Sequence, residues 1–318
     1  MMQTIKLPQQ TGQLMTTGGG FETWMQYVDG FKLRHFCGFE LLNDPRGVLC
    51  LRDYHRKLVE AAIENGFGVI NEGLHYRASR DWGALTGFSR ESLEEINIRG
   101  IEFYKDFARE YQSLATPMLV GGAIGPKGDA YNLGRLPDAA EAEDYHSEQI
   151  QTFKKAGADH VTAMTFSSVE EAIGLSRAAK SIGLPVVVSF FVAKGGQLKG
   201  GETLEQAITR VDEATGSTPA YYMINCTHPT EFEPGLTDGD WTLRLGGFMP
   251  NAVAMETLDL CKLGHLEDGD PEQLGSQMAA LAARYPHANV WGGCCGTDGR
   301  HIGQITRQVQ AVRTRRGG

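Results

Sequence analysis

Residues 287–293 read HANVWGG and are followed by Cys294, Cys295, Gly296 and Thr297. The short apolar segment predicts a β-strand, whereas two adjacent cysteines enclosed by glycines indicate a chemical role. Adjacent thiolates bind one small cation only where the backbone bends sharply, and the flanking glycines permit the dihedral angles that such a bend needs. We therefore interpret this stretch as a strand that delivers two metal ligands at its carboxyl end.

Seven earlier segments also have the character of strands, and they alternate with helical segments. The clearest is PVVVSFF at residues 185–191, a continuous apolar run typical of a parallel strand buried on both faces. Eight such units close most naturally into a (β/α)8 TIM barrel, and one barrel of about 250 residues with insertions accounts for a chain of 318 residues. We predict an α/β fold with a single domain over residues 1–318, and strands near residues 14–17, 67–71, 117–122, 160–165, 185–191, 221–225, 244–249 and 287–293.

Residues 21–46 are rich in aromatic side chains but lack a period of 2 or of 3.6 residues. We expect an irregular segment there that packs over one end of the barrel. Helices are predicted near residues 46–65, 90–113, 138–156, 167–183, 203–214, 271–284 and 299–313.

A third thiolate is available at Cys226, directly after the strand predicted at residues 221–225. Active sites of such barrels lie at the carboxyl ends of the strands. Strands six and eight are about 10 Å apart, so their side chains could converge on one ion at Zn–S distances of about 2.3 Å. Three protein thiolates on a tetrahedral zinc leave the fourth position open, as in a catalytic site.

Other uses of the cysteines remain open at this point. Buried structural thiols or a redox pair would also explain Cys226, Cys294 and Cys295, and His228 is a further candidate ligand. The other three cysteines have no partner at ligand spacing, and we expect them to be small core residues: Cys37, Cys50 and Cys261.

The composition excludes several classes of partner. The formal net charge is −9, and residues 313–316 form the only basic cluster, so we expect no nucleic-acid partner. The apolar runs are too short to cross a bilayer, and residues 1–6 do not resemble a secretory signal. We therefore expect a cytoplasmic protein with small-molecule partners, while the sequence leaves open whether it forms a homo-oligomer.

Several motifs together resemble the zinc-dependent homocysteine S-methyltransferase family. They are residues 225–229 (NCTHP), residues 292–297 (GGCCGT) with His301 and Ile302, residues 18–20 (GGG), residues 124–126 (IGP), and residues 189–192 (SFFV) with Leu198 and Gly200-Gly201. The resemblance covers nearly the whole chain, and the paired cysteines with a third cysteine after an asparagine are its most specific part.

The resemblance implies a barrel enzyme with Zn²⁺ as cofactor, held by Cys226, Cys294 and Cys295. It implies methyl transfer from a sulfonium or betaine-type donor, with S-methylmethionine as the expected donor, to the zinc-bound thiolate of homocysteine. The product would be methionine, which places the reaction in methionine biosynthesis. The chemistry agrees with the residues, because zinc deprotonates a coordinated thiol whose ordinary pKa is about 8.5.

The chain departs from the family pattern at the acceptor site. The family usually has Asp-Gly-Gly in the first loop and Glu-Thr after the fourth strand, where this chain has Gly18 and Met164-Thr165. Methionine cannot bind an amino group, so Glu22 or Glu72 would have to replace the missing carboxylate. Residues 71–76 (NEGLHY) also differ from the threonines common there. The expected substrate-binding residues are Gly19, Gly20, Glu22, Trp24, His75, Tyr76, Met164 and Asn225, and Phe21 and Trp24 could offer aromatic faces to a methylated cation.

Three functions compete on this basis. The first is the homocysteine S-methyltransferase, and the second is a zinc-dependent methyltransferase or demethylase with a different thiol acceptor. The third is a non-catalytic protein that binds zinc or responds to redox state through its thiols. An open three-cysteine site argues against the third function, because a structural zinc favours four protein ligands.

Overall fold

Eight parallel strands close into a barrel in the computed structural model of the chain, and each strand pairs with its neighbours in sequence. The structure describes residues 6–114, 117–131, 134–255, 257–260 and 262–317. The strands are β1 (Met15–Thr17), β2 (Gly68–Asn71), β3 (Met118–Ile124), β4 (His160–Phe166), β5 (Val186–Phe190), β6 (Tyr222–Asn225), β7 (Leu245–Met249) and β8 (Val290–Trp291). The pairing of Met15 with Val290 closes the ring, so the predicted (β/α)8 barrel is confirmed.

The helices surround this barrel, and their ends follow capping chemistry. Ser168 accepts a hydrogen bond from the backbone N–H of Glu171, and Gly183 ends the same helix in the left-handed conformation. The helices are α1 (Phe21–Tyr27), α2 (Pro45–Ile63), α3 (Arg80–Leu85), α4 (Arg90–Tyr111), α5 (Ala139–Ala156), α6 (Val169–Ile182), α7 (Leu204–Thr215), α8 (Pro229–Phe232), α9 (Thr257–Leu260), α10 (Pro271–Arg284) and α11 (Gly299–Gly317).

Two apolar cores follow from this arrangement. The larger core lies between the strands and the ring of helices. The smaller one fills the interior of the barrel and contains four buried methionines, Met15, Met164, Met223 and Met249. Methionine is flexible and polarisable, so it fills an irregular interior without a polar atom that needs a partner.

The structure differs from the sequence-based expectation in two elements. Residues 21–27 form α1, although we expected an irregular segment over residues 21–46; the rest of that segment consists largely of short 3₁₀ turns. The last strand is only Val290–Trp291, because Gly292 and Gly293 leave regular pairing; a bridge from Gly18 to Gly293 continues the contact with the first loop.

The three other cysteines do not share one environment. Cys37 is fully buried, as expected, whereas Cys50 on α2 is partly exposed. Cys261 lies outside the described residues. No helix in the described part of the chain combines the length and the apolar character needed to cross a bilayer.

Candidate metal centre and substrate cavity

The three cysteines of interest meet at the carboxyl end of the barrel. Cys226 directly follows β6, and Cys294 and Cys295 follow β8 after the two glycines. Their three sulfur atoms all lie within 4.8 Å of one another. A tetrahedral zinc with Zn–S bonds of about 2.3 Å needs sulfurs roughly 3.8 Å apart, so this donor set fits such an ion.

Asn225 fixes the direction of the Cys226 side chain. Its Nδ2 donates to the Sγ atom of Cys226 (3.2 Å) and to Oγ1 of Thr165 (2.8 Å). Its Oδ1 accepts from the backbone N–H of Thr165 (3.0 Å) and from Oγ of Ser189 (2.6 Å). Cys226 and Thr165 have left-handed φ values of 59° and 63°, an uncommon conformation for residues other than glycine. The asparagine side chain therefore helps to hold a strained backbone at two strand ends.

The turn that carries Cys294 and Cys295 is bound to the loop after β7. The backbone N–H of Cys294 donates to the carbonyl of Pro250 (2.7 Å), and that of Ala252 donates to the carbonyl of Cys295 (2.9 Å). Within the turn, Oγ1 of Thr297 donates to the carbonyl of Cys294 (2.7 Å). These bonds hold the turn in the position where the sulfurs of Cys294 and Cys295 lie close to that of Cys226.

The first loop packs directly on the same turn. The backbone N–H of Gly19 donates to the carbonyl of Gly293 (2.6 Å), and that of Gly20 donates to the carbonyl of Thr297 (3.0 Å). A Cβ atom at Gly292 would overlap the carbonyl of Thr17, so this close approach requires glycine. Residues 18–20 and residues 292–295 therefore pack directly against each other.

Cys226 and Cys294 are close enough to form a disulfide. Their sulfur atoms are in contact and their Cα atoms are 5.5 Å apart, within the range of disulfide-linked cysteines. A thiolate is the species that binds a metal. The same two residues therefore serve either a metal ion or a disulfide, and not both at once.

A cavity of about 360 Å³ opens beside the three cysteines. Its wall is mainly apolar, and two barrel methionines, Met164 and Met249, form part of it. Five aromatic residues line it as well, namely Phe21, Tyr27, Phe36, Tyr76 and Tyr131. Its ionisable lining residues, besides the thiols and phenols, are Glu22, Glu72, Arg77, Asp129, His265 and Glu267.

Glu72, which directly follows β2, is a buried carboxylate with two fixed donors. Its Oε1 accepts from Oγ1 of Thr17 and its Oε2 from Oγ1 of Thr162, both at 2.7 Å. Nε2 of His160 lies 3.6 Å from Oε2. Since a carboxylate has about four acceptor positions, two hydroxyl groups leave capacity for a ligand.

Glu22, in the first turn of α1, is a second carboxyl group on the cavity wall. Burial raises its pKa to about 8, and the nearby charge of Arg77 counteracts this effect only in part. Arg77 itself is engaged elsewhere, because its Nη2 bonds Oδ2 of Asp129 (2.8 Å) and its Nη1 donates to the carbonyl of His35 (2.7 Å).

The comparisons with known proteins agree with this geometry. The family model for homocysteine S-methyltransferases matches residues 17–309. The chain belongs to the homocysteine S-methyltransferase family. It is a methyltransferase with small-molecule substrates.

One curated relative and one solved structure illustrate the family. The chain is 25% identical to betaine–homocysteine S-methyltransferase 1 of Rattus norvegicus over 326 residues, which covers 95% of this chain and 74% of that protein. The homocysteine methyltransferase MmuM of Escherichia coli has a similar fold in its oxidised form, with a TM-score of 0.72, 18% identity, and coverage of 92% of this chain and 94% of that one. Its metallated form gives the same TM-score and identity, covering 92% of this chain and 95% of that one.

Gly18 and Met164 occupy the two positions at which the resemblance to the family leads us to expect acidic residues. Gly18 has a φ of 84°, and a Cβ atom there would overlap the carbonyl of Gly293 and the sulfur of Met249. The first-loop aspartate common in the family therefore does not fit this backbone. Met164 is 5% exposed and belongs to the barrel interior, where it faces the cavity.

The structure brings most of the expected site residues to one cavity. Those that line it are Gly19, Glu22, Tyr76, Met164, Asn225 and the three cysteines. The other three expected residues, Gly20, Trp24 and His75, do not line it. Trp24 packs against Tyr54 (ring centroids 6.0 Å apart), and the fully buried His75 packs against Phe153 (4.8 Å).

His228 is not among the residues whose ligand atoms meet at the three sulfurs. Its side chain instead caps α8, with Nδ1 lying 2.8 Å from Oγ1 of Thr230. Among the residues that the structure describes, no fourth ligand atom joins the three thiols, which is the arrangement expected for an open site.

Sequence analysis missed several lining residues that come from loops. Arg77 and Asp129 follow β2 and β3, and their pairing brings both to the cavity mouth. His265 and Glu267 belong to the long connection between β7 and α10. Among the missed residues, Met249 could have been predicted, because it is the last residue of β7 and residues at the carboxyl ends of barrel strands face the site.

Proposed function

We propose that this protein is a zinc-dependent S-methyltransferase that moves a methyl group from a sulfonium or betaine-type donor to the thiolate of homocysteine, giving methionine. The observation that carries the proposal is the group of three converging thiols on the wall of an apolar cavity, where no other residue in the described part of the chain supplies a fourth ligand. S-methylmethionine is the donor we expect first. Betaine is the second candidate, because the curated rat relative is named for it.

Cys226, Cys294 and Cys295 would hold the zinc ion, which supplies a positive charge that deprotonates a thiol bound at its fourth position. The chain's own residues then determine the direction of attack. The N–H donor of Asn225 stabilises negative charge on the Cys226 sulfur and keeps that sulfur in one orientation.

Methyl transfer itself needs alignment more than acid–base chemistry. A lone pair of the acceptor sulfur forms the new bond to the methyl carbon, while the bond from that carbon to the onium atom breaks and its electron pair stays on the donor. Holding both reactants in line supplies much of the rate enhancement. Met164 and Met249 form an apolar part of the cavity wall beside the cysteines, where a reacting sulfur would be less hydrated than in water.

Glu72 supports an amino acid as the acceptor. Its carboxylate is buried, lines the cavity and is oriented by Thr17 and Thr162, so it can accept a hydrogen bond from an ammonium group. We propose that Glu72 takes over the role of the glutamate that Met164 replaces. Glu72→Gln should then raise the KM for homocysteine at least tenfold, with a smaller effect on the KM for the donor.

The decisive experiment measures zinc content and methyl transfer on the same samples. Wild-type protein should contain about one zinc per chain and transfer a methyl group from S-methylmethionine to homocysteine. Cys226→Ser and Cys294→Ser should lose both, and Cys50→Ser serves as a control because this partly exposed cysteine lies on α2. Carefully reduced wild-type protein without zinc would refute the proposal.

A second candidate keeps the zinc chemistry but uses another thiol as acceptor. The replacement of the family glutamate by Met164 favours it. Calorimetric titration of zinc-loaded protein with homocysteine separates the two candidates, because the absence of binding would eliminate homocysteine and retain the second. A non-catalytic zinc or thiol-binding protein would transfer no methyl group from any donor.

The thiol chemistry also bears on the location of the protein. Metal binding by Cys226 and Cys294 requires both in the reduced form, so we propose that the protein works in a reducing compartment such as the cytoplasm. Fractionation of cells that express the tagged chain tests this proposal.

A further inference from the structure

Glu22 differs from the other three acidic residues that line the cavity. Glu72 is held by two threonine hydroxyls, Asp129 is paired with Arg77, and Glu267 lies 2.8 Å from Nε2 of His265. Among the residues that the structure describes, no side chain donates a hydrogen bond to the carboxylate of Glu22. The interactions that favour its charged form are a hydrogen bond from its own backbone N–H and the charge of Arg77, and together they do not offset its burial.

Arg77 does not neutralise this group by direct pairing. Its guanidinium bonds Asp129 and the carbonyl of His35, and it lies 4.1 Å from the ring centroid of Trp82. Among the described residues no ion pair joins Arg77 to Glu22, whose pKa stays raised to about 8 because burial outweighs the attraction to Arg77. A cationic ligand that arrives in the cavity would supply the missing counter-charge.

The surroundings of Glu22 suit a cation that carries methyl groups. Phe21, Tyr27 and Phe36 come from the same segment of chain and line the same cavity, and Tyr76 and Tyr131 line it from later loops. Aromatic faces attract sulfonium and quaternary ammonium ions, which cannot donate ordinary hydrogen bonds. A carboxylate together with such rings binds an onium centre and discriminates against a neutral molecule of the same shape.

We propose that Glu22 is a specificity-determining residue that receives the positively charged onium centre of the methyl donor, and that the donor therefore carries a net positive charge. This inference rests on the proposed methyltransferase function and deepens it by selecting a class of donor. S-methylmethionine has a net charge of +1 and fits. Glycine betaine is a zwitterion without net charge, so a cavity with more acidic than basic lining residues should bind it more weakly than S-methylmethionine.

The proposal predicts a specific kinetic pattern. Glu22 attracts the donor before the reaction, when the positive charge is complete, so it contributes mainly to binding and not to the barrier. Glu22→Gln should raise the KM for the donor about tenfold and leave kcat within about twofold. A residue that only supported the fold would lower kcat and the homocysteine affinity together.

A binding experiment tests the inference without methyl transfer. Choline and 3,3-dimethyl-1-butanol have nearly the same shape but differ in charge, and calorimetry at about pH 9 compares their affinities for the protein without metal or acceptor. We expect choline to bind wild-type protein about tenfold more tightly than the neutral alcohol. Glu22→Gln should abolish that preference, and Glu22→Ala should do the same if the glutamine variant folds poorly.

Glu95→Gln is the matched control, because Glu95 lies exposed on α4. It should keep the full preference for choline. Equal affinities of the two compounds for wild-type protein, or an unchanged preference in both Glu22 variants, would overturn the inference even if the enzyme transfers methyl groups. Conversely, a preference for choline in a protein without methyl transfer would refute the proposed function and leave the cation site.

Discussion

Asn225 is the residue on which the orientation of the first metal ligand depends. It bonds the sulfur of Cys226 and both the backbone and the side chain of Thr165, and these two residues have the strained φ values of the site. Partners that orient metal ligands typically contribute 10- to 100-fold in metal affinity.

Asn225→Ala should therefore weaken zinc binding by about 10- to 100-fold while leaving all three thiols in place. Competition with a chromophoric chelator measures this affinity, and spectroscopic titration of the thiols confirms that they are reduced. Asn43→Ala is the control, because Asn43 is exposed and bonds Arg99 away from the cavity. Unchanged zinc affinity in Asn225→Ala would show that the strained backbone holds without the asparagine.

The protonation of Glu22 gives cation binding a definite pH dependence. Its folded-state pKa is raised to about 8, so the carboxyl group is mostly neutral at pH 7 and mostly ionised at pH 9. Arg77 is paired with Asp129, and burial raises the pKa of the neighbouring Cys37 to about 12. The affinity for choline should rise about tenfold from pH 7 to pH 9 in wild-type protein. The titration uses zinc-loaded protein, so that the three metal-bound thiols of the same cavity stay deprotonated throughout. Glu22→Gln should then give a flat titration, and a parallel rise there would assign the effect to another group.

His75 should make the protein sensitive to acid. Burial lowers its pKa to about 3, and both ring nitrogens lack hydrogen-bond partners. Because the unfolded chain binds a proton near pH 6.5 and the folded chain does not, stability is lost as the pH falls from 6.5 toward 3. The loss from this residue between pH 7 and pH 5 is about 2 kcal/mol.

His75→Leu should remove that part of the acid destabilisation. Urea unfolding at pH 7 and pH 5 measures it, and the difference between the two pH values should shrink by about 2 kcal/mol in the variant. His55, whose pKa burial lowers to about 4, acts equally in both proteins and so cancels. An unchanged pH dependence would mean that His75 gains a partner on protonation.

At the level of single residues, the three cysteines of the site could be predicted from the sequence, but the charged residues around them could not. Cys226, Cys294 and Cys295 could be found because each has a local signature of glycines or an asparagine beside a strand end. The pairing of Arg77 with Asp129 joins two loops 52 residues apart, and no local pattern encodes such a contact. His75 was expected to bind substrate, but its ring packs in the core against Phe153. Its position after a strand does not reveal that orientation.

Among the elements, the loop between β7 and α10 lines the cavity and also bonds α11, the helix that follows the turn with Cys294 and Cys295. His301, at the start of α11, is fully buried and its Nε2 lies 2.7 Å from the carbonyl of Asp268 at the end of that loop. Its Nδ1 lies 3.0 Å from Oδ1 of Asp298. Although burial favours the neutral form, hydrogen bonds from His301 and Arg300 hold the pKa of Asp298 well below its ordinary value.

His301→Ala should remove the hydrogen bond between α11 and the carbonyl of Asp268 in this loop. We expect a loss of about 1–3 kcal/mol in the free energy of unfolding, because buried polar partners lose their bond, and weaker zinc binding as the cysteine turn gains freedom. His287→Ala is a matched control. His287 precedes the amino end of β8, and its Nε2 lies 2.7 Å from the carbonyl of Thr242. It should lose stability without losing zinc affinity, and equal losses of zinc affinity in both variants would contradict the assignment.

The elements themselves were largely predictable from local patterns. β5 has five buried residues in sequence, and three helices, α5, α6 and α7, end at Gly157, Gly183 and Gly216 with left-handed φ, as capping chemistry favours. α1 was missed because its aromatic residues face both the core and the cavity, so no single apolar face marks a helix. β8 was predicted too long because Gly292 and Gly293 give no sign of where regular pairing stops.

For the whole molecule, metal binding and stability should be coupled through the two chain segments that meet at the site. Free zinc at 100 times its dissociation constant should add about 2.7 kcal/mol to the free energy of unfolding. Thermal denaturation of reduced protein with and without zinc measures the shift, and Cys50→Ser should retain it. Prior oxidation, or Cys226→Ser, should abolish it; a zinc-induced shift that survives oxidation would place the ion elsewhere.

The barrel brings its first and last strands together at the metal centre. Gly19 and Gly20 bond the turn after β8, and Cys226 reaches the same point from β6. A nascent chain that stops before Cys295 lacks part of this donor set. The three thiols therefore assemble only after β8 has been synthesised, and the complete donor set marks the copies whose ring has closed.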